Sequence, residues 1–280
     1  MVHKLAIVAL IGLTGSAACI GAAAAIGGRD FGNFGDSDFS LFDSRPRCEA
    51  VPNATAAARD LDWDGSDHVG LTVYGPATYT PGSGDKLHVS GDPQVLAHIR
   101  VRDGNIELDC HGWQDRTRDV TVTLPGREFQ KFGLNGGGNL TLNNLNQGEL
   151  SIAIGGAGKV HGNGKVGSMQ LAIGGSGLID LDQITAHETK ANIGGSGTIR
   201  ARGAIDDINI GIGGSGRADF GQVASKTAEV HIGGHGDVDI APTEVAKISI
   251  GGSGDVTLHS NPKQMDSKIG GSGQIHHVAS

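Results

Sequence analysis

The chain has 280 residues, among them 48 glycines, only 4% aromatic residues and a formal net charge of −8. Glycine does not recur at every third position, which excludes collagen, and an acidic chain lacks the basic surface that nucleic-acid binding requires. With so few aromatic rings, we expect a core of Ile, Leu, Val and Ala.

The first 26 residues have the composition of a targeting segment. Lys4 supplies a positive charge, and residues 5–26 are uncharged and mostly apolar. This pattern predicts a signal peptide cleaved near Ala25. An uncleaved anchor also fits the length, with membrane contact through residues 5–26 alone, and lipid attachment at Cys19 is a third alternative. Each alternative predicts an exported protein of the periplasm or cell surface.

Residues 27–46 are predicted to be a flexible linker between membrane and domain. Gly, Asp, Ser and Phe dominate it, without a period that would allow packing. It holds four of the seven phenylalanines: Phe31, Phe34, Phe39 and Phe42. An alternative hypothesis is that these rings dock on a partner or on the protein's own domain.

Two cysteines, Cys48 and Cys110, follow the targeting segment. An even count in an oxidising compartment favours a disulfide between them. The alternative is a pair of free thiols too far apart in space to join.

Residues 47–133 alternate apolar and polar side chains in short runs bounded by Gly, Pro or Asp, as β-strands do. Asp103-Gly104 suits a tight hairpin turn. No run has helical periodicity, so we expect irregular β-rungs or a cap. The predicted strands are residues 71–74, 86–89, 98–101, 105–108 and 119–124.

Residues 134–280 contain one five-residue pattern that recurs every 18 to 20 residues. It is an aliphatic residue followed by Gly-Gly-Ser-Gly or a close variant. Eight similar units of this length predict a stacked solenoid. The units begin at Leu134, Ile154, Ile173, Ile193, Ile212, Ile232, Ile250 and Ile269.

Within each unit, apolar residues alternate on both sides of the glycines, which indicates two strands with one face inward. The Gly pair is interpreted as a corner at which positive φ is allowed. A second turn, as at Asn163-Gly164 and Gly203, leads into a short third strand. Each unit thus predicts one turn of an all-β, single-stranded β-helix with about 19–20 residues per rung. The third strand is expected to run through Val166, Ile184, Ile205 and Val223.

Two columns of aliphatic residues, one repeat apart, are predicted to form the core. One column consists of the aliphatic residues that begin the units. The other is Leu140, Val160, Ile179, Ile199, Ala218, Val238, Val256 and Ile275. With ~4.8 Å between rungs, the units would form a rod of roughly 35–40 Å. Its last rung, near residues 275–278, is expected to leave an exposed edge.

The alternating strands from about Leu71, the run Val-Thr-Val-Thr-Leu-Pro at 120–125 and the serial Ile-Gly-Gly-Ser-Gly units resemble the bacterial GIN-domain family. That family is described as a putative auto-transporter adhesin head domain, and the resemblance covers about residues 60–276. It implies an exported, right-handed, single-stranded β-helix with an adhesin-like role.

No residue set in the chain specifies a reaction. The segment 233–239 resembles a calcium-binding nonapeptide, but Val238 stands where that motif needs Asp, and the repeat is too long. The serines lack the glycine spacing of a nucleophile elbow. The histidines have no zinc-ligand spacing and are expected on the surface. The protein is therefore predicted to be non-enzymatic and to need no cofactor.

Outward-pointing aspartates are the strongest candidates for a site. Carboxylates on neighbouring rungs repel one another unless a cation or Arg217 neutralises them. They are interpreted as a solvated face, as a weak Ca²⁺ or sugar site, or as a sugar-cleaving carboxylate set. The candidates are Asp219, Asp237, Asp239 and Asp255.

Two hypotheses of function remain. The first is a non-enzymatic envelope solenoid, adhesin-like or a scaffold, that binds an envelope polysaccharide or a protein partner. The alternative is a carbohydrate-active enzyme that uses Asp219, Asp237 and Asp239. The units vary by only two residues in length. Long loops that could wall a catalytic groove are therefore not expected, which favours binding.

Overall fold

The computed structural model describes residues 45–278. The predicted targeting segment with Cys19, and the four phenylalanines of the predicted linker, lie outside the described residues. No helix within 45–278 is both long and apolar enough to cross a membrane.

Strands dominate the described residues and join in one continuous sheet. The strands are β1 (Ala58–Leu61), β2 (His68–Leu71), β3 (Pro76–Tyr79), β4 (Leu87–Ser90), β5 (Ile99–Arg102), β6 (Asn105–Leu108), β7 (Thr121–Thr123), β8 (Lys131–Leu134), β9 (Asn139–Ile154), β10 (Lys159–Ile173), β11 (Leu178–Ile193), β12 (Thr198–Ile212), β13 (Arg217–Ile232), β14 (Asp237–Ile250), β15 (Val256–Leu258), β16 (Gln264–Ile269) and β17 (Ile275–His277). Two short helical segments interrupt them, α1 (Pro93–Leu96) and a 3-10 helix (Gln114–Asp119).

The regular repeats form the predicted β-solenoid. Strands β9 to β14 each run from one glycine corner to the next, so each strand is one bent rung of 14 to 16 residues. Neighbouring rungs pair in parallel along their length, as in the pairing of Val160 with Leu140 and with Ile179. The fold class predicted from the repeat period is confirmed.

Both predicted aliphatic columns are present and in register. Ile173 pairs with Ile154 on one side and Ile193 on the other, and the columns continue in this way from rung to rung. Their members are buried except at the C-terminal end, where Ile275 is half-buried and Ile269 is 47% exposed. These two residues are less covered because no described rung lies beyond theirs.

The second turn of each rung lies where the sequence predicted it. Register shifts occur at these positions, for example between Gly162 and Gly164. Gly164 and Gly203 have φ values of 131° and 132°, which glycine adopts without a steric penalty. The predicted third-strand residues all lie in the core beyond this turn: Val166, Ile184, Ile205 and Val223.

The predicted reason for the glycine corners is wrong. No glycine of the described Ile-Gly-Gly corners has a left-handed φ. Instead, the corners stack so closely that a side chain does not fit. A Cβ on Gly197 would lie 2.7 Å from the carbonyl oxygen of Gly177 on the preceding rung. The second and last glycines of the pattern are therefore required by the contact between rungs, whereas the first, as at Gly213, has open space around it.

The Asp103-Gly104 hairpin is confirmed. β5 and β6 pair antiparallel, with Arg102 opposite Asn105. Asp103 and Gly104 have φ values of 46° and 71°, and positive φ at both central residues is typical of a type I′ turn. Three short strands, β1, β3 and β8, were not predicted, and the predicted strand at 71–74 in fact begins earlier and ends at Leu71.

Neither of these two helical segments was predicted from the sequence. α1 begins with an Asp92 carboxylate that accepts a 2.9 Å hydrogen bond from the Gln94 N–H, and Pro93 occupies the first helical position. These are ordinary helix-start signals. One turn is too short to show the apolar period by which a helix is recognised in a sequence.

An aromatic cluster packs the N-terminal part of the core, contrary to the expectation of a purely aliphatic one. Tyr79, Phe129 and Phe132 are fully buried, and the Tyr79 ring lies 5.6 Å from Phe129 and 5.3 Å from Phe132 between centroids. The Tyr79 hydroxyl donates a 2.8 Å hydrogen bond to the Arg127 carbonyl, so its polar atom has a partner. Burial of this ring raises the pKa of Tyr79.

The disulfide between Cys48 and Cys110 is confirmed, with 4.9 Å between the two Cα atoms. It joins the start of the described chain to the end of the β5–β6 hairpin. Beside it, the His98 Nδ1 lies 2.8 Å from the Asp109 carboxylate and its Nε2 lies 2.8 Å from the Glu49 carbonyl oxygen. The N-terminal segment is thus held by one covalent bond and by an adjacent polar network.

Candidate functional site

The candidate site lies on the side of the rod that follows the glycine corners. On each rung the residues directly after the corner alternate inward and outward, and the outward positions carry most of the paired charges. We call this surface the charged strip. It consists of His161, Asp180, Arg200, Arg202, Arg217, Asp219, Asp237, Asp239 and His259.

Three of the four predicted aspartates lie side by side. Asp219 and Asp239 occupy paired positions on neighbouring rungs, and Asp237 is paired in the same way with Arg217. Asp255 lies one rung further along, where its carboxylate accepts a 2.8 Å hydrogen bond from the backbone N–H of Gln274. The predicted cluster is therefore real in position, although Asp255 is engaged in holding the last rung.

Two basic side chains contact these carboxylates. Arg217 donates to Asp239 and lies 3.9 Å from Asp237. His259 contacts the second oxygen of Asp239 at 3.1 Å, and Asp239 is only 8% exposed. Two side chains therefore meet the carboxylate of Asp239, and their contacts offset part of the desolvation cost of this nearly buried charge. The sequence named Arg217 as a candidate partner but missed His259.

Opposite charges also alternate towards the N-terminal end of the strip. The Arg200 side chain lies 3.2 Å from the Asp219 carboxylate. Asp180 lies 3.7 Å from Arg202 and 3.8 Å from His161. The sequence analysis missed these pairs, although one signal was available: acidic and basic residues that are one repeat apart occupy neighbouring rungs.

Asp239→Asn is expected to lower the free energy of unfolding by about 1–2 kcal/mol, because it removes the charge that Arg217 and His259 both contact in a nearly buried site. The matched control is Asp237→Asn, whose side chain is 55% exposed and has one long contact. We expect the control to change stability by less than about 0.5 kcal/mol. Urea unfolding of both variants measures the difference, and equal effects would contradict the special role of Asp239.

Charge pairing between rungs extends beyond the strip. Lys226 donates to the Asp206 carboxylate at 2.9 Å, and His187 lies 3.2 Å from the same carboxylate. The hydrogen bonds from Lys226 and His187 lower the pKa of Asp206, and the Asp206 carboxylate raises the pKa of Lys226. Both groups are exposed, so this pair orders the surface more than it stabilises the fold.

The carboxylates at the centre of the strip are engaged by arginines and lie outside two depressions in the surface of the rod. Two surface depressions on the rod lie elsewhere, one around the 51–56 loop and one around Lys131, and neither includes a residue of the strip. A glycosidase needs one carboxylic acid and one carboxylate free to face the sugar. Here Asp219 and Asp239 are each paired with an arginine.

The same pairing fits a calcium ion poorly. Ca²⁺ is bound by several oxygen ligands, and here arginine side chains lie against the carboxylate oxygens that would bind it. A second cluster with metal-ligating side chains is His98, Asp109 and Cys110. The Cys110 sulfur is bonded to Cys48, so it offers no thiolate, and the remaining two side chains belong to the polar network beside the disulfide.

Comparison with known proteins identifies the fold and a family. The family model described as "putative auto-transporter adhesin, head GIN domain" matches residues 69–262. No curated protein matches the chain.

Three solved structures share the fold at low sequence identity. A putative lipid binding protein from Parabacteroides distasonis ATCC 8503 has a TM-score of 0.69 and 19% identity, over 79% of this chain and 96% of that one. A putative adhesin from Bacteroides fragilis NCTC 9343 has a TM-score of 0.57 and 19% identity, over 83% and 99%. A putative adhesin from Parabacteroides merdae ATCC 43184 has a TM-score of 0.67 and 17% identity, over 81% and 98%.

Proposed function

Because the chain belongs to the family of putative auto-transporter adhesin head GIN domains, we propose that it is an exported, non-enzymatic protein of the cell envelope. Its charged strip would bind an envelope polysaccharide. The observation that carries this proposal is the pairing of the strip's carboxylates with cations across neighbouring rungs on an open surface.

Export is supported by two features of the chain. Residues 5–26 have the composition of a targeting segment. The Cys48–Cys110 disulfide belongs to the kind that persists in oxidising compartments outside the cytoplasm.

A polysaccharide suits the strip for two reasons. The Arg217 and Asp237 side chains are 49% and 55% exposed, so the strip presents donors and acceptors to solvent, and sugar hydroxyls both donate and accept hydrogen bonds. The rungs are also spaced regularly, at ~4.8 Å. A long polymer lying along the rod therefore meets a series of polar contacts, so that weak contacts add up along its length.

Arg217→Gln is expected to weaken binding to such a polymer by about tenfold, because a charged donor at the centre of the strip is lost. The full chain is titrated against envelope polysaccharides and peptidoglycan fragments. The matched control is Lys190→Gln, at an exposed position on the side of the rod that precedes the glycine corners. Circular dichroism of each variant checks that it is folded.

A chelator provides the second arm of the same experiment. We expect binding to be unchanged when Ca²⁺ is removed, because arginines already pair with the carboxylates of Asp219 and Asp239. Binding that is lost with Ca²⁺, or that falls equally in the Lys190 control, would contradict the proposal. The absence of binding to every polysaccharide tested would direct attention to a protein partner.

A further inference from the structure

The two ends of the described rod differ. At the N-terminal end, antiparallel pairing of β1 with β4 and of β5 with β6 closes the stack. At the C-terminal end, β16 pairs only with β14, and β17 only with β15, within residues 45–278. Among these described residues, the outer edges of β16 and β17 therefore have no partner for their backbone N–H and C=O groups.

Exposed apolar side chains lie at this open edge. Met265 is 39% exposed, Ile269 is 47% exposed and Val278 is 50% exposed. Met265 and Ile269 continue inward columns of the core, since they pair with Ala246 and Ile250 on the rung below. A solenoid end with exposed core positions and free strand edges is expected to be covered.

The sequence of β16 is self-complementary in an antiparallel arrangement. In a pair of β16 strands related by a two-fold axis at Ser267, Asp266 of one copy lies opposite Lys268 of the other. Met265 lies opposite Ile269 on the inward face. Within the described residues neither Asp266 nor Lys268 forms an ion pair, and both are exposed. Directly opposite unlike charges and paired apolar side chains each stabilise antiparallel strands.

We propose that two copies of this chain join tail to tail through β16, so that the sheet continues from one rod into the other. The interface is isologous, because the same strand serves both copies. Head-to-tail stacking is disfavoured, since the N-terminal end is closed by antiparallel strands. The occupant of the open edge is therefore a second copy of the same chain, related to the first by the two-fold axis at Ser267.

Charge reversal tests this arrangement. Asp266→Lys places lysines opposite lysines, and Lys268→Asp places aspartates opposite aspartates, so each is expected to weaken the dimer at least about tenfold. The double variant Asp266→Lys with Lys268→Asp restores the opposite charges and is expected to dimerise normally. An equimolar mixture of the two single variants is expected to form heterodimers. The matched control is Lys190→Asp, in the middle of the rod.

Sedimentation velocity of the full chain and its variants, over a concentration series, measures the dissociation constant. A second readout uses Ser267→Cys, because residues facing each other across an antiparallel pair are close enough for a disulfide. We expect Ser267→Cys to form a covalent dimer on mild oxidation and Ser253→Cys, at an exposed corner, to remain uncrosslinked. A monomeric full chain, or a dimer that Asp266→Lys leaves unchanged, would overturn the proposal.

Discussion

Gly214→Ala is expected to destabilise the protein by about 3 kcal/mol or more, whereas Gly213→Ala is expected to be neutral or slightly stabilising. A Cβ on Gly214 would overlap the carbonyl oxygen of Gly195 on the preceding rung, and backbone cannot move aside as a flexible side chain can. A Cβ on Gly213 meets no atom within 4 Å, and its φ is not left-handed.

The two variants add the same methyl group at adjacent positions, so each is the control for the other. Urea unfolding followed by circular dichroism gives the midpoint for both. If the glycines were present for their backbone freedom, both substitutions would destabilise to a similar degree. Equal losses would therefore contradict the explanation that rung-to-rung contact excludes a side chain at the second glycine.

Removal of the Cys48–Cys110 disulfide is the second change with a large expected effect. The bond closes a loop with a sequence separation of 62 residues, and the loss of that constraint on the unfolded chain corresponds to about 4 kcal/mol. We expect the paired substitution of both cysteines by alanine to lower the unfolding midpoint strongly. Changing both residues avoids an unpaired thiol at the buried Cys110.

A reducing agent supplies the control for this prediction. It is expected to lower the unfolding midpoint of the unsubstituted chain towards that of the double variant, and to have no effect on the double variant itself. An unchanged midpoint in the unsubstituted chain under reducing conditions would show that the bond contributes little to stability.

The regular rungs could be predicted because their pattern is periodic. An inward position on one rung predicts the corresponding position on the next, so Val160, Ile179 and Ile199 were placed in one column correctly. The function of the glycines could not be predicted in the same way. A sequence shows that glycine recurs, but the distance to the preceding backbone, which excludes a side chain, is a property of the stacked rungs.

The N-terminal part was predicted less completely because it does not repeat. The Asp103-Gly104 hairpin was found from its turn residues, whereas strands of three or four residues such as β3 and β8 depend on partners far away in the sequence. The burial of Phe129 and Phe132 has the same origin. Their neighbours in the core are set by tertiary packing, not by local alternation.

The candidate site was predicted in position but not in its charge balance. Counting outward positions placed Asp219, Asp237 and Asp239 together, and the structure agrees. The contact between His259 and Asp239 was not visible, because the two residues lie at different positions of their rungs. A residue count identifies columns, while contacts between adjacent columns depend on the side-chain conformations.

The charged strip is proposed to bind a polysaccharide without cleaving it. The most direct test incubates the full chain with each envelope polysaccharide and measures, in one mixture, the bound polymer and newly released reducing ends. We predict binding with no release, both for the unsubstituted chain and for Asp239→Asn under conditions in which the variant is folded. Release of sugar ends that is abolished by Asp239→Asn would contradict the claim and identify the strip as a catalytic site.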